Sequence, residues 1–188
     1  MKNFIFLITV CCLLASCESK EKKLHGILSE LQGKEIVLPM DADIEVYSNI
    51  AGLDSLCGPM MVAKTKILVY VDSVGCSSCK LNIEDWMMRI EEAKALAADP
   101  DDVSILIYFW VQNKERFYLR RTMAQHKFNY PVFFDKNNNI GRLNNLPEDD
   151  RFHAFLLDND NKVVVIGSPQ GNDKMWELYK TQIVELTR

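Results

Sequence analysis

"KILVYVDSVGCSSCKLNIEDWMMRIEEAKAL" occupies residues 66–96 and contains the features that decide the fold. Its first six residues, KILVYV, form a short and almost unbroken apolar run, which is typical of a buried strand. From residue 81 onward, apolar residues recur at mostly helical spacing, which predicts a long helix. Cys76 and Cys79 lie between these two segments. The stretch therefore predicts a strand, a Cys-x-x-Cys pair and a helix in immediate succession.

The chain after this stretch keeps alternating between strand-like and helix-like segments. Apolar segments rich in β-branched and aromatic residues predict four more strands, at residues 103–111, 130–135, 152–158 and 162–167. Amphipathic segments predict two more helices, at residues 113–128 with Asn113 as N-cap and at residues 173–186 with Asn172 as N-cap. This order predicts an α/β fold, in which a mixed sheet, parallel through its crossovers, has helices on both faces.

Upstream of this core, the sequence predicts a small N-terminal β extension. KEIVLPM (34–40) and ADIEVYS (42–48) predict two short strands, and Pro39 favours an edge position for the first of them. Residues 49–64 contain several glycine and proline breakers and are predicted to be irregular. With 48% apolar residues, the chain has enough hydrophobic material for one globular domain, which is predicted to span residues 28–188.

The first residues have the pattern of an export signal. An apolar stretch at residues 4–14 follows a lysine, and it is shorter than the ~20 residues that a membrane-spanning helix needs. It ends in LASC, residues 14–17, which resembles the lipobox of bacterial lipoproteins. That resemblance implies that residues 1–16 are a cleaved signal peptide. It also implies that the Cys17 thiol carries a lipid, which would anchor the protein to a membrane of the bacterial cell envelope.

The predicted mature chain is mildly acidic. It begins with a charged segment, residues 17–27, that is predicted to be a flexible tether. Loss of the signal peptide removes Lys2 from the 22 basic residues, which leaves 21 against 26 acidic residues and a net charge of −5. An acidic chain without a basic stripe argues against nucleic acid as a partner.

Three cysteines remain for chemistry in this mature chain. Cys11 and Cys12 leave with the signal peptide and Cys17 carries the lipid, so the remaining cysteines are Cys57, Cys76 and Cys79. In the oxidising bacterial envelope, thiols become disulfides unless something keeps them reduced. One pair and one leftover thiol is the simplest pairing of the three.

The spacing of Cys76 and Cys79 suits redox chemistry. A helix N-terminus stabilises a thiolate and lowers its pKa below the free value of ~8.5. Cys76 is therefore predicted to be the exposed nucleophile, and Cys79, about one turn further along, the residue that resolves the mixed disulfide. An inert crosslink is the alternative, but closing so short a loop removes little entropy from the unfolded state. The couple itself carries two electrons, so no organic cofactor is expected.

At this point the chain resembles the thioredoxin-like superfamily, and within it the lipid-anchored TlpA-like group of the bacterial envelope. The resemblance covers about residues 64–188. It rests on the Cys-x-x-Cys between a core strand and a long helix, and on the segments NYPVFFD (129–135) and FLLDNDNKVVVIG (155–167). It implies a thiol-disulfide oxidoreductase that acts on envelope proteins. If the protein reduces its partners, an upstream electron donor has to supply it with electrons.

The resemblance also indicates a substrate-binding loop at Arg151, Phe152 and His153. Three positions depart from the family pattern. Gly75 precedes the first cysteine where the family usually has tryptophan, Tyr70 stands where thioredoxins keep a buried aspartate, and Phe152 stands where the family has a cis-proline. These departures put the handling of substrate in question.

Two other functions stay open at this point. A domain that has lost the proline of its substrate loop could be a non-catalytic thioredoxin-like binding module with an inert disulfide. A metal (copper) chaperone would need the cysteine pair to be joined by Cys57, His126 or His153 in a Cys₂His or Cys₃His site. Nothing in the sequence brings those side chains together, so no metal ligand is assigned.

Overall fold

The structure, a computed structural model, describes residues 21–49, 52–72 and 82–188, and it divides the chain into two compact units, Met1–Gln32 and Gly33–Arg188. The described part of the first unit is a helix, α1, at residues 21–31. The segment predicted as a flexible tether is thus helical from residue 21 onward. Among the described residues, no helix combines the length and the apolar character needed to cross a membrane.

The second unit is built on a six-stranded mixed sheet. Its strands are β1 (Ile44–Tyr47), β2 (Thr65–Val71), β3 (Val103–Phe109), β4 (Val132–Asp135), β5 (Ala154–Leu157) and β6 (Val163–Ile166). They lie in the order β1-β4-β3-β2-β5-β6. The three central strands β4, β3 and β2 are parallel, and antiparallel strands flank them on both sides. This is the predicted mixed sheet, and β1 is its N-terminal β extension.

Five helices accompany the sheet in this unit. They are α2 (Leu53–Val62), α3 (Ile83–Leu96), α4 (Asn113–Gln125), the short α5 (Asn139–Leu143) and α6 (Asp173–Leu186). Asn172 caps α6 as predicted, because its side-chain oxygen accepts a hydrogen bond from the Met175 amide. The N-cap of α4 is Gln112 rather than the predicted Asn113, which is the first residue of the helix.

One face of the sheet forms the main hydrophobic core. Side chains alternate between the two faces of a strand, so every second residue of β2 and β3 points to this face. The buried apolar side chains that these two strands contribute to it are Ile67, Val69, Val71, Val103, Ile105, Ile107 and Phe109. Helices α3, α4 and α6 cover this face with the apolar residues Trp86, Ile90, Leu119, Met123, Trp176, Tyr179 and Ile183.

The opposite face is covered by α2 and α5. On this side, the Ser104 hydroxyl of β3 donates a hydrogen bond to the Met60 carbonyl in α2, at 2.7 Å. The Tyr70 hydroxyl of β2 donates to the side-chain oxygen of Asn138, the N-cap of α5, at 2.7 Å. Helices therefore lie on both faces of the sheet, as the alternation of segments predicted.

Two predictions upstream of the core are wrong. The segment at residues 34–40 forms no strand and contributes a single bridge, between Glu35 and Lys162. The segment predicted to be irregular contains α2, which continues through Pro59. Cys57 and Met60 are buried on this helix, and their burial stabilises a segment that its glycine and proline content disfavours.

Candidate functional site

The carboxyl ends of the parallel strands bring three residues to one edge of the sheet. Asp72 follows β2, Trp110 follows β3 and Lys136 follows β4. The Trp110 amide donates to the Val71 carbonyl at 2.9 Å, which ties the end of β3 to the end of β2. In open α/β sheets, ligands bind outside the carboxyl ends of the strands. This edge is therefore where the fold favours a functional site.

Cys76 and Cys79 lie outside the described residues, as does Cys17. The chain is described up to Asp72, which is buried at 7% exposure, and again from Asn82, the N-cap of α3. Helix α3 begins at Ile83, two residues after the start of the apolar pattern at residue 81 and four residues after Cys79 in the chain. Its first turn carries Glu84 and Asp85, and their negative charges lower the positive potential of this helix N-terminus.

A cavity of about 550 Å³ opens at this edge beside the end of β2. We call it the edge cavity, and six of its lining residues carry the polar or aromatic groups that matter here: Tyr70, Asp72, Trp110, Asn138, Arg142 and His153. They come from β2, from the residue after β3, from the start of α5 and from the turn before β5. The cavity is thus assembled from four separate parts of the chain.

Tyr70 is the buried polar group at the end of β2. Its hydroxyl donates to Asn138, and burial, together with the negative charges of Asp72 and Asp135, raises its pKa above the ordinary value. The phenol is therefore neutral at physiological pH. At the position where thioredoxins keep an aspartate, this chain holds a neutral hydrogen-bond donor that is already engaged.

His153 has one satisfied ring nitrogen and one without a partner. Its Nε2 lies 2.6 Å from the Pro147 carbonyl, and a carbonyl only accepts, so Nε2 carries the proton in this contact. In the neutral ring, Nδ1 is then an acceptor, and it is buried without a hydrogen-bond partner among the described residues. The ring packs edge-on against Tyr70 with centroids 4.8 Å apart, and the Tyr70 amide donates to the His153 carbonyl.

The three residues of the predicted substrate loop have different environments. His153 lines the edge cavity, whereas Phe152 is buried at 4% exposure within a 3₁₀ turn, Asp150–Phe152. The Arg151 side chain is exposed and makes a bidentate contact with Asp149, which lowers the pKa of that carboxyl. Of the three side chains, His153 is the one that the structure brings to the edge cavity.

Cys57, His126 and His153 were considered as additional metal ligands for the cysteine pair. The described part of the structure does not bring these three side chains together. Cys57 is buried on α2, whereas His126 is the C-cap of α4 and has its Nδ1 3.5 Å from Glu84. No group of three potential ligands from histidine, cysteine, aspartate or glutamate occurs within residues 21–49, 52–72 and 82–188. These residues offer no metal centre of their own.

Sequence reasoning missed the partners of Tyr70 and His153. Asn138 lies in a run of three asparagines, residues 137–139, and it has a positive φ of 54°. Asp135 holds the following segment in place, since its carboxylate accepts from the Ile140 amide at 2.8 Å. An aspartate at the end of a buried strand, followed by asparagines, is the signal that could have indicated a capped helix.

Comparison with known proteins supports the architecture. No protein-family model matches the chain, and no curated protein matches it. A thioredoxin-like protein solved in its oxidised form is 15% identical, with a TM-score of 0.51 over 84% of this chain and 99% of that one. A proposed electron transfer protein from Aquifex aeolicus VF5 is 12% identical, with a TM-score of 0.51 over 84% of this chain and 98% of that one.

Identities this low show the fold alone, and the fold is thioredoxin-like. The sheet order, the parallel centre and the terminal β-β-α unit of β5, β6 and α6 are the features that define this class here. Strand β4 extends the parallel part of the sheet on the side away from β5.

Proposed function

We propose that the protein exchanges thiols and disulfides with protein partners through Cys76 and Cys79. The observation that carries the proposal is the chain order in a thioredoxin-like fold: β2 ends at Val71, α3 begins at Ile83, and in sequence both cysteines fall in the connection between them. The proposed electron transfer protein and the oxidised thioredoxin-like protein that share the fold are consistent with this chemistry.

The exchange proceeds in two substitutions at sulfur. The Cys76 thiolate attacks one sulfur of the partner's disulfide; a Cys76–partner bond forms, the partner's S–S bond breaks, and its second sulfur leaves as a thiolate. The Cys79 thiolate then attacks the Cys76 sulfur, which closes the Cys76–Cys79 disulfide and releases the partner's first thiol. The partner gains two electrons and two protons, and the protein loses them. A further turnover requires an upstream electron donor, and the reverse sequence oxidises the partner.

The edge cavity suits a role in receiving the partner. It adjoins Asp72, the last described residue before the cysteine pair, and its walls offer hydrogen-bonding groups from Tyr70, Asn138 and His153. We propose that His153, in the loop with Arg151 and Phe152, contacts the partner near its disulfide.

The location of this activity is part of the proposal. The LASC sequence supports a lipid on Cys17 and attachment to the bacterial cell envelope, with the domain facing the periplasm or the cell surface. The partners would then be envelope proteins with thiols or disulfides. Mass spectrometry of the protein purified from a bacterial membrane should find the N-terminal residue as an acylated cysteine, and an unmodified Cys17 would contradict the anchor.

A second function, a non-catalytic binding module, has one observation in its favour. Thioredoxins use their buried aspartate to assist proton transfer, and here Tyr70 occupies that position as a neutral phenol. In this alternative, the fold and the edge cavity bind a partner while the cysteines stay oxidised and inert. The activity of the wild-type protein separates the two functions.

Cysteine substitution tests the exchange reaction. In an insulin-reduction assay with dithiothreitol, the wild-type protein should accelerate the reaction, and Cys76→Ser should lose at least about 100-fold of that acceleration, because no other thiol replaces the attacking one. Cys79→Ser should accumulate the mixed disulfide with a protein substrate, visible as a mass adduct. Cys57→Ala, which removes the buried thiol, is the control and should keep the activity.

Two results would contradict the proposal in favour of the binding module. One is wild-type activity at the level of dithiothreitol alone, and the other is equal activity of wild type and Cys76→Ser.

A further inference from the structure

A second cavity at the same edge of the sheet is lined by positive charge. It has a volume of about 560 Å³ and lies where β3 leads into α4 and where β4 ends. Lys114, Arg116 and Lys136 contribute three cationic side chains to it, beside the aromatic ring of Trp110. We call it the basic pocket.

The three cations of the basic pocket have no carboxylate partner in the described part of the chain. None of Lys114, Arg116 and Lys136 takes part in an ion pair there, whereas other basic residues, such as Arg89 and Arg120, do. Arg116 uses its Nε to donate to the Val111 carbonyl at 3.2 Å. The neighbouring Glu115 is turned back to accept from the Gln112 amide at 3.2 Å, as the cap of α4.

The basic pocket is positively charged, although the protein as a whole carries a negative net charge. The formal net charge of the chain is −4, so a cluster of uncompensated cations is a local exception. Like charges that share one cavity repel each other, and a bound anion relieves that repulsion. The chemistry of the pocket therefore favours negatively charged groups.

The basic pocket lies beside the edge cavity. Trp110 lines both cavities, and together they run along the ends of β2, β3 and β4. Neighbouring strands lie about 4.8 Å apart, so the distance from the end of β2 to the end of β4 is about 10 Å. An extended peptide covers that distance in about three residues.

We propose that the basic pocket binds carboxylates of an acidic segment in the disulfide partner. The pocket is far larger than a site for one small anion, since a single water accounts for ~30 Å³ of liquid volume. Three separate cations along a groove match several carboxylates on one chain. The inference rests on the proposed function only in taking the bound chain to be the exchange partner.

Peptide binding to a protein without the two thiols tests this inference independently of the exchange reaction. The background is Cys76→Ser/Cys79→Ser, and the probes are two synthetic peptides with a central cystine mimic followed by four glutamates or by four glutamines. The glutamate peptide should bind at least about 10-fold more tightly in low salt, and this advantage should shrink as salt screens the charges. Isothermal titration calorimetry gives the affinities.

A charge reversal and a matched control locate the binding. Lys114→Glu/Lys136→Glu should remove the advantage of the glutamate peptide. The control is Lys174→Glu, which also reverses the charge of an exposed lysine. Lys174 is the second residue of α6, as Lys114 is of α4. This variant should still bind the glutamate peptide more tightly than the glutamine peptide.

Each of three results would overturn the inference. They are equal binding of the two peptides, an equal loss of binding in Lys174→Glu, and full displacement of the peptide by inorganic phosphate at low millimolar concentration, which would indicate a small-anion site. Because no thiol is present, a failed exchange assay leaves these outcomes unchanged. A failure of peptide binding likewise leaves the exchange assay unaffected.

Discussion

One face of the central strands is built almost entirely of hydrocarbon, whereas the opposite face buries several polar side chains. On the first face, β2 and β3 contribute aliphatic and aromatic residues apart from Thr65, whose buried hydroxyl donates to the Leu157 carbonyl at 2.9 Å. On the second face and its edge, the buried polar side chains are Lys66, Tyr70, Ser104, Tyr108 and Asp135. Both faces are covered by helices, so the difference lies in chemistry and not in access to water.

The polar face is tolerated because its groups are paired. The Lys66 ammonium donates to the Ala63 carbonyl at 2.7 Å, and the Tyr108 hydroxyl donates to the Pro39 carbonyl at 3.0 Å. Burial still lowers the pKa of Lys66, which shows that its charged form is costly there. The apolar face therefore stabilises the fold through the apolar surface area that it buries. The polar face contributes less to stability, because its buried polar groups lose their contact with water, but it positions groups such as Tyr70 next to the edge cavity.

The largest effect should come from a cavity in the apolar face. Ile107 is fully buried in β3, and Ile107→Ala should lower the free energy of unfolding by about 3–4 kcal/mol, through lost burial and the space left behind. Urea denaturation measures the change. Val62→Ala is the control, since Val62 is 76% exposed, and it should change stability by less than about 0.5 kcal/mol. A loss below about 1 kcal/mol for Ile107→Ala would show that this face is not the main source of stability.

A smaller effect should follow from an unsatisfied group on the polar face. The Asp135 carboxylate accepts from the amides of Ile140 and Asn137, at 2.8 and 3.2 Å, and so holds the start of α5. Asp135→Ala should cost about 2 kcal/mol, because it leaves a buried amide without an acceptor. Asp135→Asn keeps one acceptor oxygen and should cost about half as much. Equal costs for the two variants would mean that charge, and not the hydrogen bonds, is what α5 needs.

The smallest of the three effects should be that of Tyr70→Phe, and it should depend on pH. Near neutral pH, the loss of the hydrogen bond to Asn138 should cost about 1 kcal/mol. The folded-state pKa of Tyr70 is raised, so its contribution is fully present below pH ~10 and is lost as the pH rises further, because the unfolded phenol ionises first. Wild type and variant should therefore converge above pH ~10 in urea titrations. A difference that stays constant there would contradict the burial of this phenol.

Most of the core elements were predictable because their patterns are local. The apolar run in β2 and β3 and the Asn172 cap of α6 depend only on neighbouring residues, and the structure confirms them. Helix α2 was missed because Gly58 and Pro59 are local signals against a helix, and packing against β3 overrides them. The short α5 was missed for a related reason, since its start is held by Asp135 from the preceding strand.

The amino-acid sequence by itself determined the alternation of strands and helices, and with it the α/β class of the fold, because hydrophobic periodicity depends only on the order of neighbouring residues. It also determined that two cysteines fall between β2 and α3. Only the tertiary structure decided that Tyr70 contacts His153 and that Trp110 lines two cavities. Those contacts arise from the pairing of β2 with β5 and with β3, and pairing between distant strands is set by the packing of the whole sheet rather than by any local pattern.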